Sequence, residues 1–257
     1  MRYAATCFII SYLGSVMLFH LQINPQFRDA DHDGLIGLRG CMRYFQDAHT
    51  NFMHSIEKGN DVIPERYGAA WIYTQYHVKI NRKINYDDPL ILTQWIQPYH
   101  RPLLLTLDST IQQRDEIVAC GKIETCVFDL NRQLPRRLNS IEFPDGIAED
   151  VENDIPAFIG LAKSADGMAE CYKKTVRVSD LDKSRHMNNL RYIEMFQDAY
   201  SSDYWSEIEP HQMEIRFLSQ CREGETISVC SRVDDSGIHF AAMHQDGTVA
   251  STAFFGS

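Results

Sequence analysis

The sequence predicts an α+β protein in which one unit, a helix packed against an antiparallel sheet, is built twice. Two observations carry this. The stretch "DADHDGLIGLRGCMRYFQDA" (29–48) aligns without a gap on "DLDKSRHMNNLRYIEMFQDA" (180–199). The first two aspartates and the run F-Q-D-A agree, six of twenty positions, where unrelated sequence gives about one. Each stretch is also followed by runs of alternating apolar residues separated by turn residues, the pattern of half-buried antiparallel strands.

The elements follow in chain order. Residues 4–19, "AATCFIISYLGSVMLF", are apolar but short for a membrane span, and no small-residue cleavage pattern follows. Residues 1–20 are therefore expected to form an N-terminal extension without stable membrane insertion. In 29–48 an aspartate-rich turn leads into a helix, since Asp and Asn accept the orphan N–H groups of a helix start. Leu38, Met42 and Phe45 fall on one face of it. Strands are expected where Tyr76, Val78 and Ile80 alternate, after the turn at Tyr86–Pro89, and over 103–130. The segment 131–170 carries three prolines and no sustained period, which reads as a linker. In the second copy Leu190, Ile193 and Phe196 form the helix stripe. Met213, Ile215 and Phe217 alternate before a turn at Arg222–Gly224, and a last hairpin spans 237–255. Val118–Cys120 aligns by pattern with Val249–Ser251. The expected domains are 21–130 and 171–257.

Composition narrows the function. A formal net charge of −10 argues against a nucleic-acid binder, which needs a basic field to neutralise phosphates. The seven cysteines, at 7, 41, 120, 126, 171, 221 and 230, form no C-x-x-C pair. Scattered cysteines in odd number point to reduced, packed thiols in a cytoplasmic protein rather than a disulfide framework or a zinc site. No cofactor and no metal is expected. "DADHDG" imitates the start of an EF-hand, but the twelfth position, which must supply a bidentate glutamate, is Gly40. The stretch reads instead as a helix entry.

The second copy is more specific. "DLDKSRHMNNLRYIEMF" resembles the D-x-D-x-N-x-H-V-N-N-x-x-Y signature of acyl-ACP thioesterases from plant plastids and bacteria. "GAAWIYTQYHVKINRKINYDDPLIL", "FDLNRQLPRRL" and "EIRFLSQCREGETISV" extend the resemblance over roughly residues 20–257. It implies two tandem hot-dog domains and hydrolysis of a fatty acyl thioester. Asp182 and His186 would activate water, and backbone amides just beyond His186 would hold the oxyanion. Two positions depart from the pattern. Ser184 stands where the family has asparagine, and Gln220 where it has an acidic residue before Cys221. Gln220 cannot take a proton. Cys221 is a candidate nucleophile if His186 lies within reach, although a cysteine beside a strand is more often inert. Asn188 and Asn189 are explained by fixing the helix entry or by contact with substrate, and Tyr192 by packing.

The implied substrate is an acyl chain on the phosphopantetheine of acyl carrier protein. Met42, Phe45, Trp71 and Tyr76 are candidates to line an apolar acyl slot, or simply core. The carrier is acidic, so Arg132, Arg136 and Arg137 form the candidate docking cluster, which Lys79, Arg82 and Lys83 are candidates to join. A homodimer is allowed but not required, because the duplication already supplies the pair that single-copy relatives build from two chains. Two other readings stand beside this one: a hot-dog hydrolase of acyl-CoA or another small thioester, and an acyl-binding protein in which Ser184 and Gln220 mark lost activity.

Overall fold

The computed structural model describes residues 8–13, 16–148, 151 and 154–256. The apolar residues 4–7, including Cys7, lie outside them. The chain divides into two units, residues 1–74 with 78–157, and residues 75–77 with 158–257.

The first unit opens with a hairpin of β1 (Phe8–Leu13) and β2 (Val16–Ile23), and β2 pairs onward with β4 (Leu90–Ile96). Residues 16–20, set apart by composition with the apolar opening segment, are therefore sheet, with Phe19 and Leu21 buried. A 3-10 turn (Phe27–Asp29) and a tight loop lead into α1 (Leu38–Ser55), then a short α2 (Val62–Tyr67). The strands β3 (Ala69–Ile80), β4, β5 (Leu104–Gln113) and β6 (Glu116–Asp129) follow, and β7 (Leu134–Arg136) pairs with β6. The strand order is β1-β2-β4-β5-β6-β3. Helix α1 packs on β4, β5 and β6. Met42, Phe45, Ala48 and Phe52, spaced three or four apart, form its buried stripe.

The second unit repeats the order. It comprises β8 (Ala169–Thr175), a 3-10 turn (Val178–Asp180), α3 (Asn189–Gln197), α4 (Ser202–Ile208), β9 (Gln212–Phe217), β10 (Thr226–Asp234), β11 (Gly237–Met243) and β12 (Val249–Gly256). Its strands run β8-β10-β11-β12-β9, matching β2-β4-β5-β6-β3 one for one. Tyr192 meets Phe217 edge-on and Phe196 stacks on Phe240, which seats α3 on its sheet. Each unit adds one short helix, α2 in the first and α4 in the second, and six or seven residues leave no clear apolar period.

The duplication extends to single hydrogen bonds. In both units the hairpin of the last two long strands carries a bulge, after Ile111 on β5 and after Ala242 on β11. The bulged carbonyls, Val118 and Ala250, each accept two N–H groups: those of Asn81 and Arg82, and those of Leu218 and Ser219. Val118 therefore corresponds to Ala250, one residue beyond the match read from the sequence. The hairpin turns differ in length, so a pattern match across them slips by one.

The aspartates of "DADHDG" are each answered by a cation of the chain. Asp29 pairs with Arg43, Asp31 with Arg39 at 2.9 Å, and Asp33 with Lys83 at 2.5 Å. Asp29 is buried and also accepts from Tyr44 Oη at 2.8 Å and from Gln26 N at 3.0 Å. Burial alone would raise its pKa. The hydrogen bonds from Arg43, Gln26 and Tyr44 outweigh burial and hold it below the ordinary value. Its contribution to stability is thus present above the unfolded carboxylate pKa and is lost as pH falls through the lower folded value. Tyr44→Phe is expected to lower stability by about 2 kcal/mol in urea unfolding at neutral pH. Asp29→Asn should flatten the loss of stability on acidification. An unchanged acid limb in Asp29→Asn would show that Asp29 is not a source of it. No helix among the described residues is long and apolar enough to cross a membrane.

Candidate active site

The site residues proposed from the second copy lie on the loop between its 3-10 turn and α3, and on the segment after β9. The loop closes on itself. Asp182 N donates to the His186 carbonyl at 2.9 Å, and the Asp182 carbonyl accepts Arg185 N at 3.1 Å. The Asp182 carboxylate works inside this ring, its Oδ1 accepting Ser184 N at 2.7 Å and His186 N at 3.3 Å. Arg185 takes φ 61°, in the left-handed region that favours glycine. The first unit builds the same ring from Asp31 to Leu35, with Gly34 at φ 80° in that place. The chain thus accepts a strained arginine in the second copy to present this loop.

The loop is anchored at both ends. Met187 N donates to the Cys221 carbonyl and Asn188 N to the Asp180 carbonyl, both at 2.8 Å. His186 itself forms a bridge with Arg222. The Asn188 side chain caps α3, accepting Leu190 N at 3.0 Å. The result places Asp182 and Ser184 exposed and His186 half-buried at the entrance of the helix. His186 Nδ1 is buried and has no hydrogen-bond partner among the described residues. No contact joins the His186 ring to the Asp182 carboxylate, so the two offer separate groups rather than a preformed pair.

Beyond His186, most amides of the run are already bonded. Met187, Asn188, Leu190 and Arg191 N–H all have acceptors. Asn189 N–H is the amide of 187–191 left without one among the described residues. It sits in the first turn of α3, where the positive end of the helix dipole favours an anion.

Cys221 is buried, its thiol hydrogen-bonded to Tyr192 and pushed up by burial to about 11. A thiol held protonated at neutral pH is a poor nucleophile. Gln220 is exposed beside it. The tyrosine therefore does more than pack, which the sequence did not reveal because its partner lies 29 residues away. Met42, Phe45 and Trp71 are buried in the first unit, Trp71 donating to the Lys58 carbonyl at 2.8 Å. Tyr76 is buried in the second, edge-on to Phe217. Of the arginine cluster, Arg132 and Arg137 are exposed. Arg136 is half-buried, donating to the Tyr67 carbonyl and lying 3.7 Å from Asp129. Arg82 and Lys83 pair with Glu116 and Asp33.

Comparison with known proteins matches residues 18–140 to the acyl-ACP thioesterase N-terminal domain and 163–253 to the acyl-ACP thioesterase C-terminal domain. A chloroplastic acyl-[acyl-carrier-protein] hydrolase of Cuphea viscosissima is 21% identical over 227 residues, covering 79% of this chain and 52% of its own length. A chloroplastic palmitoyl-acyl carrier protein thioesterase of Cuphea hookeriana is 22% identical, covering 91% and 60%. The chain thus spans little more than half the length of these relatives. Among solved structures, an acyl-ACP thioesterase from Bacteroides thetaiotaomicron superimposes with a TM-score of 0.81 at 14% identity, over 93% of this chain and 97% of that one. The 12:0-ACP thioesterase from Umbellularia californica gives 0.75 at 16%, over 96% and 98%. At such identities the superpositions establish the tandem hot-dog fold, and with both domain models matched in order along the sequence, the chain belongs to the acyl-ACP thioesterase family.

Proposed function

We propose that the protein hydrolyses the thioester of fatty acyl-ACP, releasing a free fatty acid, with the loop 182–189 as its catalytic segment. The observation that carries this reading is the arrangement at the entry of α3. An exposed carboxylate, an imidazole with an unpartnered ring nitrogen and an unpartnered N–H at a helix start lie within eight residues. Asp182 takes a proton from water, with His186 assisting, and the water oxygen attacks the thioester carbonyl. The carbonyl oxygen becomes an oxyanion, for which the Asn189 N–H is the donor. Collapse of the tetrahedral intermediate breaks the C–S bond and expels the carrier's phosphopantetheine thiolate. Ser184, exposed on the loop, supplies a hydroxyl where the family has an amide. Gln220 serves at most as a hydrogen-bonding group beside the water.

The second unit is the catalytic one in this reading. The first keeps the ring but has Leu35, Gly37 and Leu38 at the positions of His186, Asn188 and Asn189, and its Asp31 is bound to Arg39. Arg132 and Arg137 remain available to an acidic carrier. The cysteines among the described residues are free, which fits a reducing compartment such as the cytoplasm.

Asp182→Asn separates chemistry from folding, because the amide oxygen still accepts Ser184 N and His186 N while the base is lost. It is expected to lower kcat on acyl-ACP by about 10²-fold or more with no change in Tm, and His186→Ala to do likewise. Full activity in both variants would discard the assignment. Carrier recognition has its own test: Arg132→Glu with Arg137→Glu should raise KM for acyl-ACP several-fold and leave acyl-CoA hydrolysis unchanged. Equal rates on acyl-CoA and acyl-ACP in the wild type would favour the small-thioester reading instead.

A further inference from the structure

Beneath the segment that anchors His186 lies a second polar cluster, which thioester hydrolysis does not use. The ligand-bearing atoms of Cys221, Glu225 and His244 all lie within 4.8 Å of one another. His244 Nδ1 is 3.3 Å from Glu225 Oε2, yet that oxygen is buried and has no hydrogen-bond donor among the described residues. His244 Nε2 lies 2.8 Å from Ser219 Oγ, and Ser219 Oγ donates its proton to the Val249 carbonyl at 3.2 Å. In the tautomer with its proton on Nε2, that nitrogen donates to the Ser219 oxygen and the lone pair lies on Nδ1, on the side of Glu225. An imidazole nitrogen and a carboxylate oxygen then face each other across 3.3 Å with a thiol beside them, three metal-ligating atoms converging on one point. That arrangement calls for a cation.

We propose that Cys221, Glu225 and His244 form a binding site for a divalent metal ion of the zinc class, with its fourth position open to water. The chemistry of the donors fits: thiolate, carboxylate and imidazole together suit Zn2+ rather than a hard oxygen-seeking ion. So does the geometry, since metal–ligand bonds of about 2.0–2.1 Å place tetrahedral neighbours roughly 3.3 Å apart. The charges balance. Binding transfers the Cys221 proton to solvent, and one thiolate and one carboxylate neutralise the dication at a half-buried site. The hydroxyl of Tyr192, already bonded to Cys221, becomes a donor to the thiolate, and Ser219 orients the imidazole, the outer contacts such a site requires.

The duplication provides an internal comparison. By strand register and by the matching bonds from Ile36 and Met187, the first-unit counterparts of Cys221, Glu225 and His244 are Ile84, Asp88 and Gln113. There the cluster is closed by ordinary contacts: Gln113 donates to the Asn85 carbonyl at 2.7 Å, and Asp88 pairs with Arg114 at 2.7 Å. Among the described residues, only the second unit carries three donor types facing one another. The expectation of no metal rested on the absence of C-x-x-C spacing. This set instead comes from the segment after β9, the residue before β10 and the residue after β11, which only the sheet brings together. The inference does not depend on thioester hydrolysis.

The test is Co2+ titration of the purified chain, prepared without a histidine tag, read by absorption and followed by competition with Zn2+. One equivalent of Co2+ should produce a thiolate-to-cobalt charge-transfer band, which Zn2+ abolishes, and Zn2+ should raise Tm. Cys221→Ser should lose the band. His244→Gln, which installs the residue of the first unit, should weaken Zn2+ binding by about 100-fold or more, as should Glu225→Gln. Cys171→Ser, at an exposed cysteine outside the cluster, should keep both signals. Absence of the band in the wild type, or its persistence in Cys221→Ser, would overturn the site and leave His244 as a charged partner of Glu225. Because the wild-type spectrum is decisive by itself, a variant that fails to fold does not rescue the proposal.

Discussion

The ring of backbone hydrogen bonds at Asp182 is the constraint from which the candidate site follows. The Asp182 amide and carbonyl close on His186 and Arg185, so the backbone from which the imidazole projects is set by main-chain bonds. The carboxylate Oδ1 then holds the interior of the loop through Ser184 N and His186 N. One residue therefore serves as the loop's internal acceptor and as the candidate base. Substitution by alanine removes both functions at once, whereas asparagine separates them. The left-handed Arg185 indicates how strongly the surrounding bonds determine this geometry, since an L side chain there costs about 1 kcal/mol or more.

The same ring in the first unit explains why duplication need not duplicate activity. Asp31 keeps every main-chain bond of its counterpart, but its carboxylate accepts Gly37 N and Arg39 rather than the interior of the loop. Leu35 occupies the imidazole's position. The aspartate of the first unit is thus bound within the fold, whereas that of the second is exposed. A calcium ion has no role in this account, because Arg43, Arg39 and Lys83 already neutralise the three carboxylates.

What could be read from sequence was what repeats locally. The D-x-D turn, the F-Q-D-A run and the alternating strands yielded the α+β class and the paired units, since helix entry and strand period are properties of a few adjacent residues. The offset between Val118 and Ala250 could not be read, because a bulge is defined by the opposite strand. Nor could the state of Cys221. Its burial and its bond to Tyr192 depend on distant segments meeting, and burial raises the thiol against the opposing pull of that bond, leaving a plausible nucleophile protonated. Arg136 shows the same limit: in sequence it belongs to a basic cluster, while in the fold it serves the Tyr67 carbonyl.

The two polar features of the second unit share one stretch of backbone. The Cys221 carbonyl receives Met187 N, and its side chain faces Glu225 and His244. Whatever occupies that cluster therefore acts on the strand edge that holds His186 in place, through a single residue whose main chain serves the loop and whose thiol serves the cluster. A cation there would fix Cys221 by a covalent-strength contact instead of one weak hydrogen bond to Tyr192, and would stiffen the anchor of the loop without touching substrate. In the first unit Ile84 makes the same main-chain bond to Ile36 with an apolar side chain, so there the anchor of the loop has no such second contact to a polar cluster.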